Sequence, residues 1–540
     1  MKKIIAVLLC MATVCTCVAC GSSKETERTK KTKKTKDTTE TEETDAPTDT
    51  TESDTSESST ETSAPDNKDF AVTHDLSAFA IKKTRDQMMF GAVDPKGDAE
   101  PPFSLKSVEV SYDILETSDT TSKVPGILEE YVHHTGEART EQYQQVLDKF
   151  NDQLSTGSEL LSYWFYEFCY IIRSDSQILS MQVETYGYSS EEDIGRNTYF
   201  TNYDSMSGTE LQMDDVILDR GAFSNYVEEY FNAIGAADNF ATTMADIHDK
   251  INDGSLTFGM TYDGILIDEI KLPVAGHGDI FNMKYFGSTP KNYTLEFDMK
   301  DELVWDFDGD GTLDELKLAT TKSADGYHVE NLKITYLGQD YTFKASELDE
   351  MDSMEGLDRY NASHMMCVDG KNYLLVSMDN AGEEFATYIF DINGSEPKFV
   401  EVFFSTPDET LDPTNFKIRL RTDIIGTVFM AYDFALGSDG HLQQLSSVGR
   451  CNTGPLFAKM PLSGKEYNVV TGAVGADTEV PSSAILEILG YDNKSGLLFV
   501  RVHPKYTYME GMDIALETDK VSSVAGHPRD EAFIGINYAD

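Results

Sequence analysis

The sequence predicts an α+β domain followed by an all-β region, propeller-like or sandwich, and a small SH3-like barrel at the C-terminal end. Three observations carry this. Helical and strand periods interleave between about residues 68 and 296. Beyond 297, short apolar runs recur with Asp-Gly or Asn-Gly turns and little helical spacing. Over 456–540, Ile485–Tyr491 and Leu497–Val502 flank an Asp492-Asn493 turn, the pattern of a small barrel. So long a body cannot be built on one core, so the expected domains are 68–296, 297–455 and 456–540, preceded by segments 1–19 and 20–67.

Residues 1–19 read as a secretory signal: Lys2 and Lys3, an apolar run from Ile4 to Val14, then small residues. Ala19-Cys20-Gly21 resembles a bacterial lipobox, with Cys17 where Leu, Val or Ile is usual. That resemblance implies a signal peptide cut before Cys20, which becomes the lipid attachment point. Residues 24–36 carry seven basic and two acidic side chains, suited to anionic headgroups. Residues 37–66 hold eleven Asp/Glu, no Lys or Arg and fifteen Ser/Thr, too little apolar surface to offset ordering entropy. The segment 20–67 is therefore expected as a disordered, lipid-anchored tether. The expected location is the outer face of the cell membrane.

Cleavage would leave Cys169, Cys367 and Cys451 in the body, widely spaced and without a CxxC pair, which argues against zinc or thioredoxin-type chemistry. The chain carries −50 in all; the signal contributes +2, the basic stretch +5 and the acidic stretch −11, so residues 67–540 carry about −46. Such a charge excludes nucleic acid as a partner and favours cations, basic peptides or basic proteins.

In the first domain, Val108, Val110, Tyr112 and Ile114 alternate as a strand. Thr140–Leu154 has a helical stripe of Tyr143, Val146, Leu147, Phe150 and Leu154. Tyr163–Ile172 is almost wholly apolar and reads as a central strand, with Ile178–Tyr188 and Asn197–Asp204 continuing the sheet. Phe223, Val227, Phe231 and their neighbours follow helical spacing. Strands are expected at Ser255–Tyr262, Ile265–Leu272 and Asp279–Tyr285, the first two joined by an Asp263-Gly264 turn.

This order, with Arg173-Ser174-Asp175, Tyr186-Gly187-Tyr188, Asn202-Tyr203-Asp204 and Asp214-Asp215-Val216-Ile217, resembles the extracellular domain of RsiV-type anti-sigma factors. The resemblance covers about residues 105–286 and departs at Ile267-Asp268-Glu269-Ile270, where the family shows an aromatic-Tyr-Glu strand. It implies a domain that senses an extracellular ligand, a cationic lysozyme-like protein being one candidate and a cell-wall component the other. No stretch after the signal approaches ~18 apolar residues, and neither a sigma-binding nor a deacetylase domain is expected beside it.

Asp306, Asp308, Asp310 and Asp314 stand at positions 1, 3, 5 and 9 of a loop with Gly311 at position 6. Such spacing converges oxygens on one hard cation, with the Thr312 carbonyl as a further ligand. Lys317 replaces the position-12 Glu of an EF-hand, and the flanks read as strands. The motif therefore resembles the Ca²⁺ hairpins of integrin-type and FG-GAP repeats, and structural Ca²⁺ is the expected cofactor. A metal-free Asp/Gly turn is the alternative.

Further strands are expected at Gly326–Tyr336, Tyr373–Val376, Ala386–Ile392, Lys398–Phe404, Phe416–Thr422 and Val428–Phe434. No HExxH, GxSxG, GxGxxG or P-loop occurs; Ser288-Thr289-Pro290-Lys291 has SxxK spacing, but Pro290 denies it a helical turn. No catalytic residue or organic cofactor is expected. The expected function is non-enzymatic binding or sensing at the cell surface. The competing class is a cell-wall or polysaccharide-acting enzyme or a carbohydrate-binding envelope protein. An Asp–His pair or convergent carboxylates in a cleft would favour the enzyme, an acidic or aromatic face the binder.

Overall fold

The computed structural model describes residues 70–94, 104–191, 194–235, 243–268, 270–297, 302–322, 329–348, 359–360, 363–379, 385–408, 411–451, 456–469, 471–503 and 511–536. The expected signal peptide, the tether and Cys20 lie outside them. Strands dominate the described residues and helices are few.

The first elements are β1 (Thr73–Leu76), β2 (Ile81–Asp94), β3 (Ser104–Thr117), α1 (Val124–Thr156), β4 (Tyr163–Ser174), β5 (Ile178–Ser189) and β6 (Gly195–Asp204). Strands β2 to β6 form one sheet in sequence order. Pairing is antiparallel except between β3 and β4, which run parallel because α1 carries the chain back across the sheet. Alternation along β4 decides what each face does. Tyr163, Phe165, Glu167 and Cys169 are buried under α1, while Trp164, Tyr166, Phe168 and Tyr170 lie on the opposite face and are half-buried.

Helix α1 begins at Val124 rather than at the expected Thr140. Gly126, Gly136 and several β-branched residues give its first half poor intrinsic propensity. Packing supplies what propensity lacks. Val124 and Leu128 are buried, and the Tyr131 and Thr135 hydroxyls each donate to Glu167 Oε1 at 3.0 Å. The helix stops at Gly157, whose left-handed φ of 66° lets its N–H reach the Gln153 carbonyl.

Next come α2 (Met213–Val216), α3 (Arg220–Ala233) and α4 (Met244–Asp253). Helix α3 lies where the spacing put it, capped by the Asp219 carboxylate and buried through Phe223, Val227 and Phe231. Helix α4 is held by a Thr243–Asp246 capping box. Strands β7 (Gly259–Met260), β8 (Gly264–Ile267) and β9 (Ile270–Pro273) make a small antiparallel sheet. The expected strand Ser255–Tyr262 is thus only two residues long. The expected run Ile265–Leu272 breaks at Asp268, whose φ of 51° turns the chain back on itself. Asp279–Tyr285 is not a strand but a set of turns ending in a 3₁₀ segment, which still buries Ile280, Phe281 and Tyr285.

Strand β10 (Ser288–Pro290) pairs in parallel with β1. Gly287, with φ of 79°, precedes it, and a Cβ there would sit 2.6 Å from the Ala71 carbonyl oxygen. Strand β11 (Tyr293–Phe297) is followed by an antiparallel meander of β12 (Leu303–Trp305), β13 (Asp314–Lys322), β14 (Val329–Tyr336) and β15 (Gln339–Lys344). A second meander comprises Ser363–Val368, Lys371–Asp379, Phe385–Asp391 and Lys398–Phe403, with β11 added beside its first strand. A third runs Pro407–Asp408, Phe416–Thr422, Val428–Leu436, Leu442–Gln444. One hydrophobic core extends from Phe70 to Ile392, so apolar packing is continuous across residue 296, and a second serves the later sheets.

The SH3-like barrel requires correction. The last sheet runs from Ala473–Val480 through Leu462–Asn468, Met512–Glu517, Leu497–His503, Ile485–Asp492 and Leu456–Ala458 to Phe533–Ile534, and its end strands do not pair. Most of Ala473–Val480 is exposed, so little apolar surface draws that edge round to close. This sheet meets β2 through a small cluster of Met89, Phe457 and Ile485.

Candidate functional sites: an acidic loop and an aromatic sheet face

The acidic loop links β12 to β13. Trp305 ends β12, fully buried, its indole Nε1–H donating to the Tyr293 hydroxyl at 3.0 Å. Phe307 is buried inside the loop itself, and its carbonyl accepts from Asn372 Nδ2 at 3.0 Å. Between and beyond these anchors the chain turns tightly through Gly309 and Gly311, with φ of 75° and 84°. Asp306 accepts the Gly309 and Gly311 N–H groups at 2.9 and 3.0 Å, and Asp314 Oδ2 accepts the Phe307 N–H at 3.2 Å.

Carboxylate oxygens of Asp306, Asp308 and Asp314 lie within 4.8 Å of one another. That spacing suits oxygens sharing a cation at 2.3–2.6 Å. Asp310 and Thr312 are not part of this group: Asp310 Oδ1 accepts the Thr312 N–H at 2.7 Å. Lys317 lies on β13, paired with Glu302 and Glu315 at 2.9 Å each. Burial, then the charges of Asp308, Asp310 and Asp306, raise the Asp314 pKa.

The second candidate is the sheet face turned away from α1, which the sequence reading missed. Tyr163–Ile172 is the expected central strand, and its even positions form a ladder on the far face. Trp164 stacks on Tyr166 (5.3 Å between centroids) and on Tyr188 of β5 (5.7 Å), with Tyr186 at 4.8 Å. Phe168 and Tyr170 continue the row. Tyr186 and Tyr188 are 45% and 46% exposed. Four aromatic side chains at every second position were the available signal.

Charge on this face is largely consumed internally. Arg85 donates from Nε and Nη2 to Asp113 Oδ1 at 3.1 and 2.9 Å, and its guanidinium lies 4.4 Å from the Phe168 ring centroid. Lys83 Nζ lies 4.9 Å from the Tyr170 ring centroid. Glu109, 2% exposed, accepts from Gln87 Nε2 at 2.6 Å; burial pushes its carboxyl up to about 7, against hydrogen bonds from Gln87 and Tyr166.

Among the described residues, other reactive groups form no comparable site. Ser224 Oγ meets His248 Nδ1, and His248 Nε2 lies 3.5 Å from Glu228, a Ser–His–Glu order. Ser224 and Glu228 share α3, however, where backbone N–H groups are committed to the helix and supply no oxyanion donors. Ser288-Thr289-Pro290 is strand β10, and Lys291 is paired with Asp369 at 2.8 Å. Cys169 and Cys367 are buried free thiols, both raised in pKa chiefly by burial, and Cys451 is half-buried.

No family profile and no curated protein matches this chain. Among solved structures, it is similar to a DUF3298 family protein from Pseudomonas aeruginosa PAO1, with 14% identity, 38% of this chain and 97% of that chain covered, and a TM-score of 0.25. It is also similar to a DUF3298 family member from Bacteroides fragilis NCTC 9343, with 15% identity, 39% and 98% covered, and a TM-score of 0.25. No described helix is long and apolar enough to cross a membrane.

Proposed function

We propose that this protein is a lipoprotein held through Cys20 on the outer face of the cell membrane, where it binds or senses an extracellular ligand without catalysis. The observation that carries the reading is the aromatic sheet face: Trp164, Tyr186 and Tyr188 stand together, part-exposed, on a rigid sheet. Exposed Trp and Tyr clusters of this kind supply binding energy at low entropic cost. The body's charge of about −46 favours a basic ligand, and the RsiV-type resemblance points to a lysozyme-like protein.

In the same reading the meanders after residue 297 form a propeller-like region. Asp306, Asp308 and Asp314 would hold one Ca²⁺, which would neutralise their mutual repulsion and brace the β12–β13 turn; Asp310 and the Thr312 carbonyl are secondary candidates.

Calorimetry with a lysozyme and with a neutral oligosaccharide tests the function. The lysozyme should bind, with an on-rate that falls as salt rises through ~0.15 M, where charges are screened beyond about 8 Å. Binding or hydrolysis of the oligosaccharide alone would instead place the protein in the carbohydrate-acting class.

A further inference from the structure

The sheet face is a series of rows, each crossing β2, β3 and β4. In two rows the β2 residue is a cation that reaches over β3 onto an aromatic ring: Lys83 opposite Leu115, onto Tyr170, and Arg85 opposite Asp113, onto Phe168. In the next two rows the β2 residues are Gln87, opposite Ser111, and Met89, opposite Glu109. The rings of those rows are Tyr166 and Trp164, aligned with Ser111 and Glu109. Among the described residues, no Lys or Arg stands over Trp164, Tyr166, Tyr186 or Tyr188. On β2 the pattern thus runs out of cations where the rings become most exposed and where Trp, the best cation–π acceptor, is placed; Arg196 of β6, opposite Tyr186, is held by Glu184 at 2.6 Å.

We infer that Trp164, Tyr186 and Tyr188 form the docking surface for Lys or Arg side chains of a basic protein partner, which complete the row pattern from outside. Charge complementarity selects this occupant. The acidic body draws a basic partner in, whereas Glu184 on the same face is already paired with Arg196 at 2.6 Å. Stacking fixes the rings before the partner arrives, so little side-chain entropy is lost on binding. This inference rests on the proposed binding of a basic ligand and assigns it to one face.

The two tryptophans make the test direct. Trp305 is fully buried, so acrylamide quenching reports Trp164. The full chain in detergent, grown with 5-hydroxytryptophan so that it is excited apart from the titrant's own indoles, should show Trp164 protected from acrylamide as a complex with lysozyme forms. Trp164→Ala and Tyr188→Ala should each weaken binding roughly tenfold, and Trp164→Phe by less, because a ring is retained. Near-ultraviolet circular dichroism and melting of each variant, matched to wild type, establish that the sheet is intact. Lysozyme binding with unchanged quenching and unchanged affinity in both alanine variants would overturn this surface while leaving the basic-ligand reading intact. Protection of Trp164 by a neutral oligosaccharide and none by lysozyme would overturn both.

Discussion

Glu109 offers a sharp test of how the two halves of the body fit together. Its carboxyl is buried on β3 and hydrogen-bonded to Gln87, with Glu487 of the last sheet adding a repulsive contribution to its raised pKa. Folding moves this group from an ordinary value of 4.5 up to about 7. The native state therefore holds a proton that the unfolded chain has lost between those values. Stability from this group is greatest below about pH 4.5, falls as pH rises through 7, and is flat above. At ~1.4 kcal/mol per tenfold, the gap corresponds to about 3 kcal/mol. Glu109→Gln keeps an oxygen for the Gln87 amide and cannot ionise. The variant should match wild type at pH 5 and exceed it by about 2 kcal/mol at pH 8, after allowing for an altered Tyr166 contact. Urea unfolding of both proteins at pH 5, 6, 7 and 8 measures the difference, in which the many surface carboxylates cancel. A variant whose advantage does not change with pH would refute a buried, protonated Glu109.

Two more outcomes are expected. Asp308→Ala should abolish the Ca²⁺-dependent gain in melting temperature, a gain of ~2.7 kcal/mol at a hundredfold excess over Kd, and leave melting in chelator nearly unchanged; wild-type protein that melts alike with and without Ca²⁺ would end the proposal. Cys20→Ser should leave an uncleaved precursor or release the chain to the medium, and metabolic labelling that finds no fatty acid on wild-type protein would contradict the anchor.

What could be read from the sequence depended on how strongly local pattern and final environment agree. Phe223, Val227 and Phe231 repeat with helical period and are capped by Asp219, so α3 was legible. Strands β4 and β5 and the run Phe416–Thr422 were legible for the same reason. Strand β2 was not, because Lys82, Lys83, Arg85 and Asp86 give it a polar composition that only Asp113, Tyr112 and the ring faces explain. The first half of α1 was hidden behind two glycines, and the burial of Val124 and Leu128 together with the bonds to buried Glu167 supplies the reason for a helix there. In the acidic loop, spacing located the carboxylates, but side-chain torsion decided which three converge, and no sequence pattern encodes that. The aromatic face was not legible because the run was read for hydrophobicity without parity: alternation shows that half the rings have no helix to cover them.

The pairing of β1 with β10 also determines how the body would bear load. Phe70 packs edge-on against Trp305 at 5.9 Å, and His74 stacks on Tyr293 at 5.5 Å, its Nδ1 in a 2.7 Å hydrogen bond with Thr289 Oγ1. A pull along the chain before Phe70 would therefore meet two aromatic wedges and a strand pair strained lengthwise, instead of a hairpin that unzips one bond at a time. Those wedges bear on the residues that hold the start of the acidic loop, so a stiffened loop would act as a backstop for the proposed tether.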